Sequence, residues 1–318
     1  MKLIALLFAV LLPAAAQAQD YPSRPVRFIV PYPPGALTDV LARAIGDRLG
    51  TALKQTVVVE NRAGAGTLLG ADLVAKAPAD GYTLLMATST TLGISPAIYA
   101  KPAIEPVKDF AAVSLVGSVN FFLVTSPAFP PRNVREFIDL VKRNPGKFNY
   151  ASSGSGSPHH LFMEVLKKDQ GLDIQHVPYK GSALAVLDII GGKPEMMFLD
   201  FSVAVPNIRG GKITALGTSA GKQSVLMPEV QPISASIPGF DWQAWQGVVT
   251  TAGTPPAVVA RLNAEMQKIQ NTEEFRAQLV KFGMEPWPPN TPADFSAIVK
   301  NDVGRWAGVV KAAGLKVD

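Results

Sequence analysis

Short apolar runs alternate with segments of helical spacing along most of the chain. The run VRFIVPY (26–32) predicts a buried strand, and DVLARAIGDRL (39–49) predicts the helix that follows it. TVVVEN (56–61) and ADLVAKA (71–77) repeat this unit, and YTLLMATS (82–89) predicts a third strand. Repeated strand–helix units with apolar strands predict a mostly parallel sheet that helices cover on both faces. This part of the chain therefore predicts an α/β lobe.

A second series of the same kind begins near Phe121. Its apolar runs are FFLVTS, NYASS, IQHVPYK, MMFLDF and ITALGTSA, and helical patterns such as VREFIDLVKRN, HLFMEVLKKD and ALAVLDIIGG lie between them. After Pro238 the pattern changes to FDWQAWQGVVTTAG and two helices with apolar faces but no adequate sheet of their own. We assign these helices to the first lobe. The predicted domains are 19–121 with 239–318, and an inserted domain, 122–238.

The first eighteen residues have the organisation of a secretory signal. Lys2 precedes the apolar stretch LIALLFAVLL, and small residues lead to Ala16-Gln17-Ala18. A membrane anchor is the alternative, but the stretch is much shorter than the roughly 20 residues of a spanning helix. Later apolar runs are broken by glycine, proline or charge. We predict cleavage after Ala18 and an exported protein that is not inserted in a membrane.

Composition excludes several kinds of chemistry. The chain has no cysteine, which rules out disulfides, thiolate metal sites, a cysteine nucleophile and a lipidated cysteine. The formal charge is +5, and loss of Lys2 with the signal would make it +4. We see no block of Lys and Arg and no nucleic-acid-binding motif, so we predict no nucleic-acid partner.

Two loops carry the chemistry that the sequence suggests. PYPPGALTD (31–39) and ASSGSGSPHH (151–160) each follow an apolar run and precede a helical pattern, so their backbone N–H groups would face an anion. The candidate ligand-binding residues are Tyr32, Pro34, Gly35, Ala36, Leu37 and Thr38 in the first loop, and Ser153, Gly154, Ser155, Gly156 and Ser157 in the second. Each loop has a structural alternative. Thr38 could be the helix N-cap with Asp39 at the positive end of the helix dipole, and the second loop could be a flexible turn.

Further candidates lie where predicted strands end. Open α/β sheets bind ligands at the carboxyl edges of their strands. This position selects Thr88, Ser89, Tyr179, Lys180 and Asp200. Asp200 would accept a hydrogen bond from a hydroxyl or amino group, or fix a loop. For Trp242 and Trp245, core packing is favoured over ligand stacking.

Enzymatic and metal-binding alternatives have weak support. Gly64, Gly66 and Gly70 depart from the dinucleotide fingerprint, and the serine-rich run GSGSP (154–158) lacks the spacing of a G-x-S-x-G elbow. A metal site would have to use His159, His160, Glu164 and His176, of which His160 and Glu164 share a helix face. We therefore predict a protein that is not an enzyme, with no catalytic residue, no cofactor and no metal.

Several longer segments resemble one family. They are PYPPGALTDVLAR, VVVENRAGAGTLLGADLVAKAPADGYTLL, NYASSGSGSPHHL, HVPYKGSALAVLDIIGGKPEMMF, GKITALGTSA and GVVTTAGTPPAVVARLN. In this order they are similar to the Bug, or TctC, family of periplasmic solute-binding proteins of tripartite tricarboxylate transporters. The resemblance implies a type II periplasmic-binding-protein-like fold, α/β, with two α/β lobes around a central cleft that encloses a carboxylic acid.

The resemblance also refines the site and the partners. His160 matches a family histidine and could donate to a carboxylate, whereas His159 falls at a variable position. Ala36 and Leu37 stand where the family usually has glycines, which implies a more apolar wall. The implied partners are a small organic acid and the membrane components of the transporter, and we expect a monomer. A solute sensor remains an alternative, and the acid could be an amino acid, a dicarboxylate, a tricarboxylate or an aromatic acid.

Overall fold

The computed structural model describes residues 21–316, so the predicted signal (1–18) and its cleavage site lie outside the described residues. The strands are β1 (Val26–Val30), β2 (Val57–Asn61), β3 (Thr83–Thr88), β4 (Phe110–Val119), β5 (Phe121–Thr125), β6 (Asn149–Ser152), β7 (Gln175–Pro178), β8 (Met196–Asp200), β9 (Thr214–Thr218), β10 (Ala244–Thr251) and β11 (Glu285–Pro286). The α-helices are α1 (Leu37–Leu53), α2 (Leu68–Ala75), α3 (Ser95–Ile98), α4 (Pro106–Asp109), α5 (Val134–Lys142), α6 (Pro158–Gln170), α7 (Ser182–Ile190), α8 (Phe201–Arg209), α9 (Pro256–Gln270), α10 (Glu273–Lys281) and α11 (Pro292–Ala312). A π-helical turn over Thr90–Ile94 joins β3 to α3.

The strands form two sheets of similar design. The first has the order β11-β4-β10-β3-β1-β2 and the second the order β7-β6-β8-β5-β9. We call the first sheet with its helices the first lobe, and the second sheet with its helices the second lobe. The chain crosses between them at Asn120, which separates β4 from β5, and again between β9 and β10. The predicted two-lobed α/β fold is confirmed.

The prediction of a mostly parallel first sheet holds for strand direction, since β1 to β4 run the same way, but the strand that enters each sheet from the other lobe runs against its neighbours. β1 is parallel to β2 and β3, but β10 inserts between β3 and β4 and is antiparallel to both. In the second lobe β6 is parallel to β7 and β8, whereas β5 is antiparallel to β8 and β9. Each sheet is therefore mixed.

Helices cover both faces of each sheet, as the apolar strands predict. On the first sheet α1 and α9 bury their apolar stripes on one face, and α2 and the start of α11 cover the other. α1 follows the helical period, with Leu41, Ile45 and Leu49 all fully buried. On the second sheet α7 and α8 cover one face, and α5 and α6 cover the other. Both sheets are thus central layers of three-layer lobes.

The last helix contacts both lobes rather than the first alone. Phe295 and Val299, early in α11, pack in the core of the first lobe. Near its other end Trp306 stacks on Phe162 of α6, with ring centroids 5.8 Å apart, and contacts Trp242 at 4.8 Å. The domain boundaries given above stay a proposal. Their support is that β10 and β11 join the first sheet while β5 to β9 form the second.

Within residues 21–316, no helix is both long enough and apolar enough to cross a membrane.

Candidate functional site

A cavity of ≈ 310 Å³ lies between the two lobes, lined by residues from both. Several residues predicted from the sequence line it: Tyr32, Ala36, Leu37, Thr38, Thr88, Ser89 and Asp200. Others lie outside its lining: Pro34, Gly35, Ser153, Gly154, Ser155, Gly156, Ser157, His160, Tyr179 and Lys180. The first loop and the ends of β3 and β8 therefore meet at the cavity, whereas most of the second loop does not reach it.

The first loop presents the start of α1 to the cavity. The backbone of Ala36 caps the helix, two residues before the predicted N-cap Thr38. Asp39 fixes the conformation of the loop, because its carboxylate accepts a hydrogen bond from the backbone N–H of Gly35 at 2.8 Å and forms an ion pair with Arg43 at 2.9 Å. Burial acts to raise the pKa of Asp39, but these contacts outweigh it and hold the pKa below its usual value. The anchored loop aims its first-turn amides at the cavity.

Two of these amides have no acceptor. Among the residues described, no hydrogen-bond partner lies within reach of the N–H of Leu37 or Thr38. Asp39 N–H, the next along, donates to the Ala36 carbonyl at 2.9 Å. The free pair lies at the positive end of the dipole of a helix that runs from Leu37 to Leu53. Such a pair suits an anionic oxygen.

Hydroxyl groups extend this polar edge along the first sheet. Tyr32 Oη and Thr88 Oγ1 lie 3.0 Å apart, and Thr88 Oγ1 also contacts Thr91 Oγ1 at 3.0 Å. Burial raises the pKa of Tyr32, so its hydroxyl stays protonated at neutral pH. Ser89 is almost fully buried next to Thr88 and lines the same wall.

Most polar groups of the second loop form hydrogen bonds within the loop or with residues packed behind it. Ser157 caps α6 by accepting from His160 N–H, and its own hydroxyl donates to the Gly154 carbonyl at 2.7 Å. Ser152 Oγ lies 2.6 Å from His176 Nε2 and accepts from Gly154 N–H at 3.1 Å. Only Pro158 and His159 of the segment 151–160 line the cavity. The structural alternative for this loop therefore describes most of its contacts.

The two adjacent histidines have opposite surroundings. The sequence predicted that His160 would face the ligand, and the structure shows the reverse arrangement. His159 lines the cavity, whereas His160 is turned to the interior, where its ring stacks on His176 with centroids 3.9 Å apart. Its Nδ1 accepts from Gly156 N–H at 3.0 Å. Burial lowers the pKa of His160 to about 4, so it is neutral at pH 7 and supports the loop from behind. Consecutive helical residues point about 100° apart, which is why only one can face the cavity. Ligand contact by either histidine stays a prediction.

Asp200 and His159 form a hydrogen-bonded pair in the second-lobe wall. His159 Nε2 lies 3.0 Å from Asp200 Oδ1, and Ser202 Oγ donates to Asp200 Oδ2 at 2.5 Å. Burial acts to raise the pKa of Asp200, but the hydrogen bonds from His159 and Ser202 outweigh it and hold the pKa well below its usual value. Asp200 is therefore an anion that faces the cavity.

Ser153 Oγ lies 2.8 Å from His159 Nδ1, which completes a Ser–His–Asp chain. The residue types are those of a catalytic triad, but their order relative to the cavity is inverted. Asp200 lines the cavity and Ser153 does not. The hydroxyl that would act as nucleophile is therefore on the wrong side of the imidazole, and the chain fixes the orientation of the His159 ring.

Tyr179 and Lys180 lie away from the cavity lining. Tyr179 Oη donates to Asp188 at 2.7 Å, and burial together with this carboxylate raises the pKa of Tyr179 to about 12. Lys180 is exposed.

Gln246 was not predicted and is central to the site. It lies on β10 opposite Thr88 of β3, lines the cavity and is 5 % exposed. Within the described part of the chain its Oε1 has no hydrogen-bond partner. A buried acceptor without a partner is costly, so Oε1 points to a hydrogen-bond donor on a group that enters the cavity, and the Nε2 of the same amide can donate to that group. The feature of the sequence that could have identified Gln246 is a polar amide within an otherwise apolar stretch of a buried strand.

Four aromatic side chains that were not predicted as site residues also line the cavity. They are Phe121 at the first crossing, Phe201 at the start of α8, Trp245 on β10 and Phe282 after α10. Trp245 also donates from Nε1 to Asp302 at 2.5 Å, so it serves both the core and the cavity. Trp242, in contrast, packs on Trp306.

The four side chains of the metal alternative do not form a ligand set. His160 and His176 are stacked face to face, which keeps their ring nitrogens from converging on one ion. Glu164 is taken up by Tyr150 at 2.5 Å and Lys167 at 2.6 Å. Among residues 21–316, no group of three or more histidine or acidic side chains is placed to hold a metal.

Two lobes that are each built on a mixed sheet, joined by two crossings around a polar and aromatic cavity, define a solute-binding protein of the periplasmic-binding-protein type. The sequence profile of TctC, the tripartite tricarboxylate transporter family receptor, matches residues 41–315. The chain belongs to this family.

Relatives and solved structures agree with this membership. Protein BugT of Bordetella pertussis is 35% identical over 309 residues, which cover 96% of this chain and 94% of BugT. A structure from R. palustris with adipate is 30% identical, with a TM-score of 0.77 over 93% of this chain and 99% of that one. MatC from Rhodopseudomonas palustris, with bound malate, is 32% identical, with a TM-score of 0.73 over 91% of this chain and 100% of MatC.

Proposed function

We propose that this protein binds a small organic carboxylate between its lobes, in the periplasm, and delivers it to the membrane components of a tripartite tricarboxylate transporter. Family membership and the solved relatives with adipate and malate support this proposal. The observation that carries it is the first-lobe wall, where the unpartnered N–H groups of Leu37 and Thr38 line the same cavity as Gln246.

The number of available donors fits capture of an acid. Two backbone amides, the amide of Gln246 and the neighbouring hydroxyls can each donate to a carboxylate. Hydrogen bonds to a charged group contribute about 1.5–3 kcal/mol each. Three or four of them sum to about 4.5–12 kcal/mol before the cost of association is subtracted, so burial of the rest of the ligand must also contribute to the roughly 8 kcal/mol of a micromolar complex.

A direct test is calorimetry on the mature protein after a thermal-shift screen of carboxylic acids. Gln246→Leu should weaken binding of the best acid about fivefold to a hundredfold, because it removes both the acceptor Oε1 and the donor Nε2 from a desolvated wall. Gln278→Leu is the matched control, since its Oε1 is also buried without a partner among the described residues but the residue lies in α10, outside the cavity lining. Equal affinities of the two variants would remove Gln246 from the site.

Binding without conversion is a separate part of the proposal. The inverted Ser153–His159–Asp200 chain supports it, because the hydroxyl does not face the cavity. Mass spectrometry of the bound acid after long incubation should recover it unchanged. A converted product would contradict the proposal.

Delivery to a transporter can be tested in cells that lack this protein. Uptake of the labelled acid should return with the wild-type chain and stay low with Gln246→Leu, while Gln278→Leu restores it. Uptake that does not depend on the chain would favour the sensor alternative.

A further inference from the structure

The cavity has a polar wall in the first lobe and an apolar body to which several aromatic side chains contribute. The polar wall is the one around Leu37, Thr38 and Gln246 described above. Rings of Phe121, Phe201, Trp245 and Phe282, together with Tyr32, border the rest. Aromatic side chains favour stacked or edge contacts with planar, apolar ligands. A dry cavity of about 150 Å³ holds benzene, so ≈ 310 Å³ has room for a substituted ring.

The charges of the wall distinguish this cavity from one built for two carboxylates. Among the described residues that line it, none is a lysine or an arginine. The ionic group facing the cavity from the second lobe is Asp200, which His159 and Ser202 keep as an anion. A second carboxylate at this end of a ligand would meet a negative charge in a site of low polarity, without a cation to offset it.

Asp200 can still accept one further hydrogen bond. A carboxylate has about four lone-pair sites; His159 and Ser202 each use one, and Ser182 lies close enough to use a third, which leaves one. A hydroxyl or amino group on a ligand would therefore find an acceptor here. The donor-rich first-lobe wall and the acceptor in the second-lobe wall come from opposite lobes, so a ligand that spans them would bridge the two.

We infer that the ligand is an aromatic monocarboxylic acid that carries one hydroxyl or amino donor away from its carboxylate. Its carboxylate lies at the amides of Leu37 and Thr38, its ring lies among the aromatic side chains, and its donor reaches Asp200. This inference rests on the proposed function, since it assumes that the cavity binds an acid. It adds the shape of the acid and its number of charges.

Calorimetry at pH 7 with three matched acids tests it. 4-Hydroxybenzoate should bind about tenfold more tightly than benzoate, because its hydroxyl donates to a charged acceptor. Terephthalate replaces that hydroxyl with a second carboxylate and should bind no better than benzoate. Adipate and malate serve as aliphatic diacids. Tighter binding of terephthalate, adipate or malate than of 4-hydroxybenzoate would overturn the inference.

A variant separates the charge of Asp200 from its shape. Asp200→Asn should improve terephthalate binding about tenfold and reduce the preference for 4-hydroxybenzoate over benzoate. Asp139→Asn, an exposed position on α5, is the control for a change of net charge in the same lobe. Circular dichroism melting shows whether each variant is folded. Should Asp200→Asn not fold, the ranking of the wild-type acids decides alone.

The two levels of the proposal fail differently. If aliphatic diacids bind and aromatic acids do not, the carboxylate function stands and the inference is wrong. If no acid in the full panel binds, both are wrong.

Discussion

Gly283 is the position where one added methyl group would act directly on the contact between the lobes. It follows α10 in the first lobe and lines the cavity, and the ring of Phe201 from the second lobe lies against it. A Cβ at Gly283 would overlap Phe201 Cδ1 and lie 3.1 Å from Phe201 Cγ, closer than side chains normally pack. Gly283→Ala should therefore oppose the approach of the lobes.

The expected cost has two parts that can be separated. Gly283 has φ = +75°, and alanine in this left-handed region costs about 1–2 kcal/mol in any state that keeps the backbone. The overlap with Phe201 adds about 1–3 kcal/mol, but only while the lobes are together. Since the second part is relieved when they separate, we expect affinity for the acid to fall about fivefold to 150-fold.

Gly253→Ala is the matched control. Gly253 has φ = +82° in the same lobe, and a Cβ there would make an ordinary contact of 3.6 Å with Ala79. Melting temperature and calorimetric affinity for the best acid of the screen should be measured for both variants. Both should lose stability through backbone strain, and only Gly283→Ala should lose affinity. Small-angle scattering should also show less compaction of Gly283→Ala on ligand addition. If Gly283→Ala bound the acid as tightly as Gly253→Ala, the contact with Phe201 would not belong to the ligand-bound arrangement.

Three further predictions concern single positions. His159→Ala should weaken binding of the acid about fivefold or more by calorimetry, because it deprives the half-buried Asp200 carboxylate of a partner, whereas His160→Ala should affect mainly thermal stability. The opposite order would mean that His160, as the sequence predicted, is the histidine that contacts the ligand. Hydrogen bonds from Arg27 and Arg62 lower the pKa of Glu60 to about 2, so its contribution to stability is complete above the unfolded pKa near 4.3 and is lost as the pH falls toward 2. Between pH 6 and pH 3, urea unfolding of the wild type should lose roughly 1 kcal/mol more than that of Glu60→Gln, a figure reduced because both arginines are half-exposed, and equal losses would contradict the pairing. Trp306→Ala should lower the free energy of unfolding by about 3–5 kcal/mol, whereas Val225→Ala, at an exposed position, should change it by less than about 0.5 kcal/mol. If the two variants lost similar amounts of stability, α11 would not hold the two lobes together.

The sequence by itself determined the α/β class and the positions of most elements. Strands such as β1 (Val26–Val30) are short, apolar except for Arg27, and followed by a segment of helical period, so local pattern is enough to place them. Local pattern also located the first loop, because a proline- and glycine-rich segment between a predicted strand and a predicted helix is typical of a tight turn. The motifs of the family are local as well, and they cover the chain in order.

Local pattern was less informative about how the strands pair and about which helices contact both lobes. β10 is antiparallel to β3, although more than 150 residues separate Gln246 from Thr88 in the chain. Nothing in the alternation of a buried strand encodes the direction of a distant neighbour. The same holds for α11, whose apolar stripe predicts burial but not that Trp306 would pack on the other lobe.

The site was decided by tertiary structure. His159 and His160 are equivalent in the sequence, and the rotation of α6 against the second sheet determines that the first faces the cavity and the second stacks on His176. Gln246 and the rings of Phe201 and Phe282 come from elements far apart in the chain, and only the packing of the two lobes brings them to one cavity. A binding cavity is a property of distances between non-neighbouring residues, and the order of residues along the chain does not contain those distances until the lobes are packed.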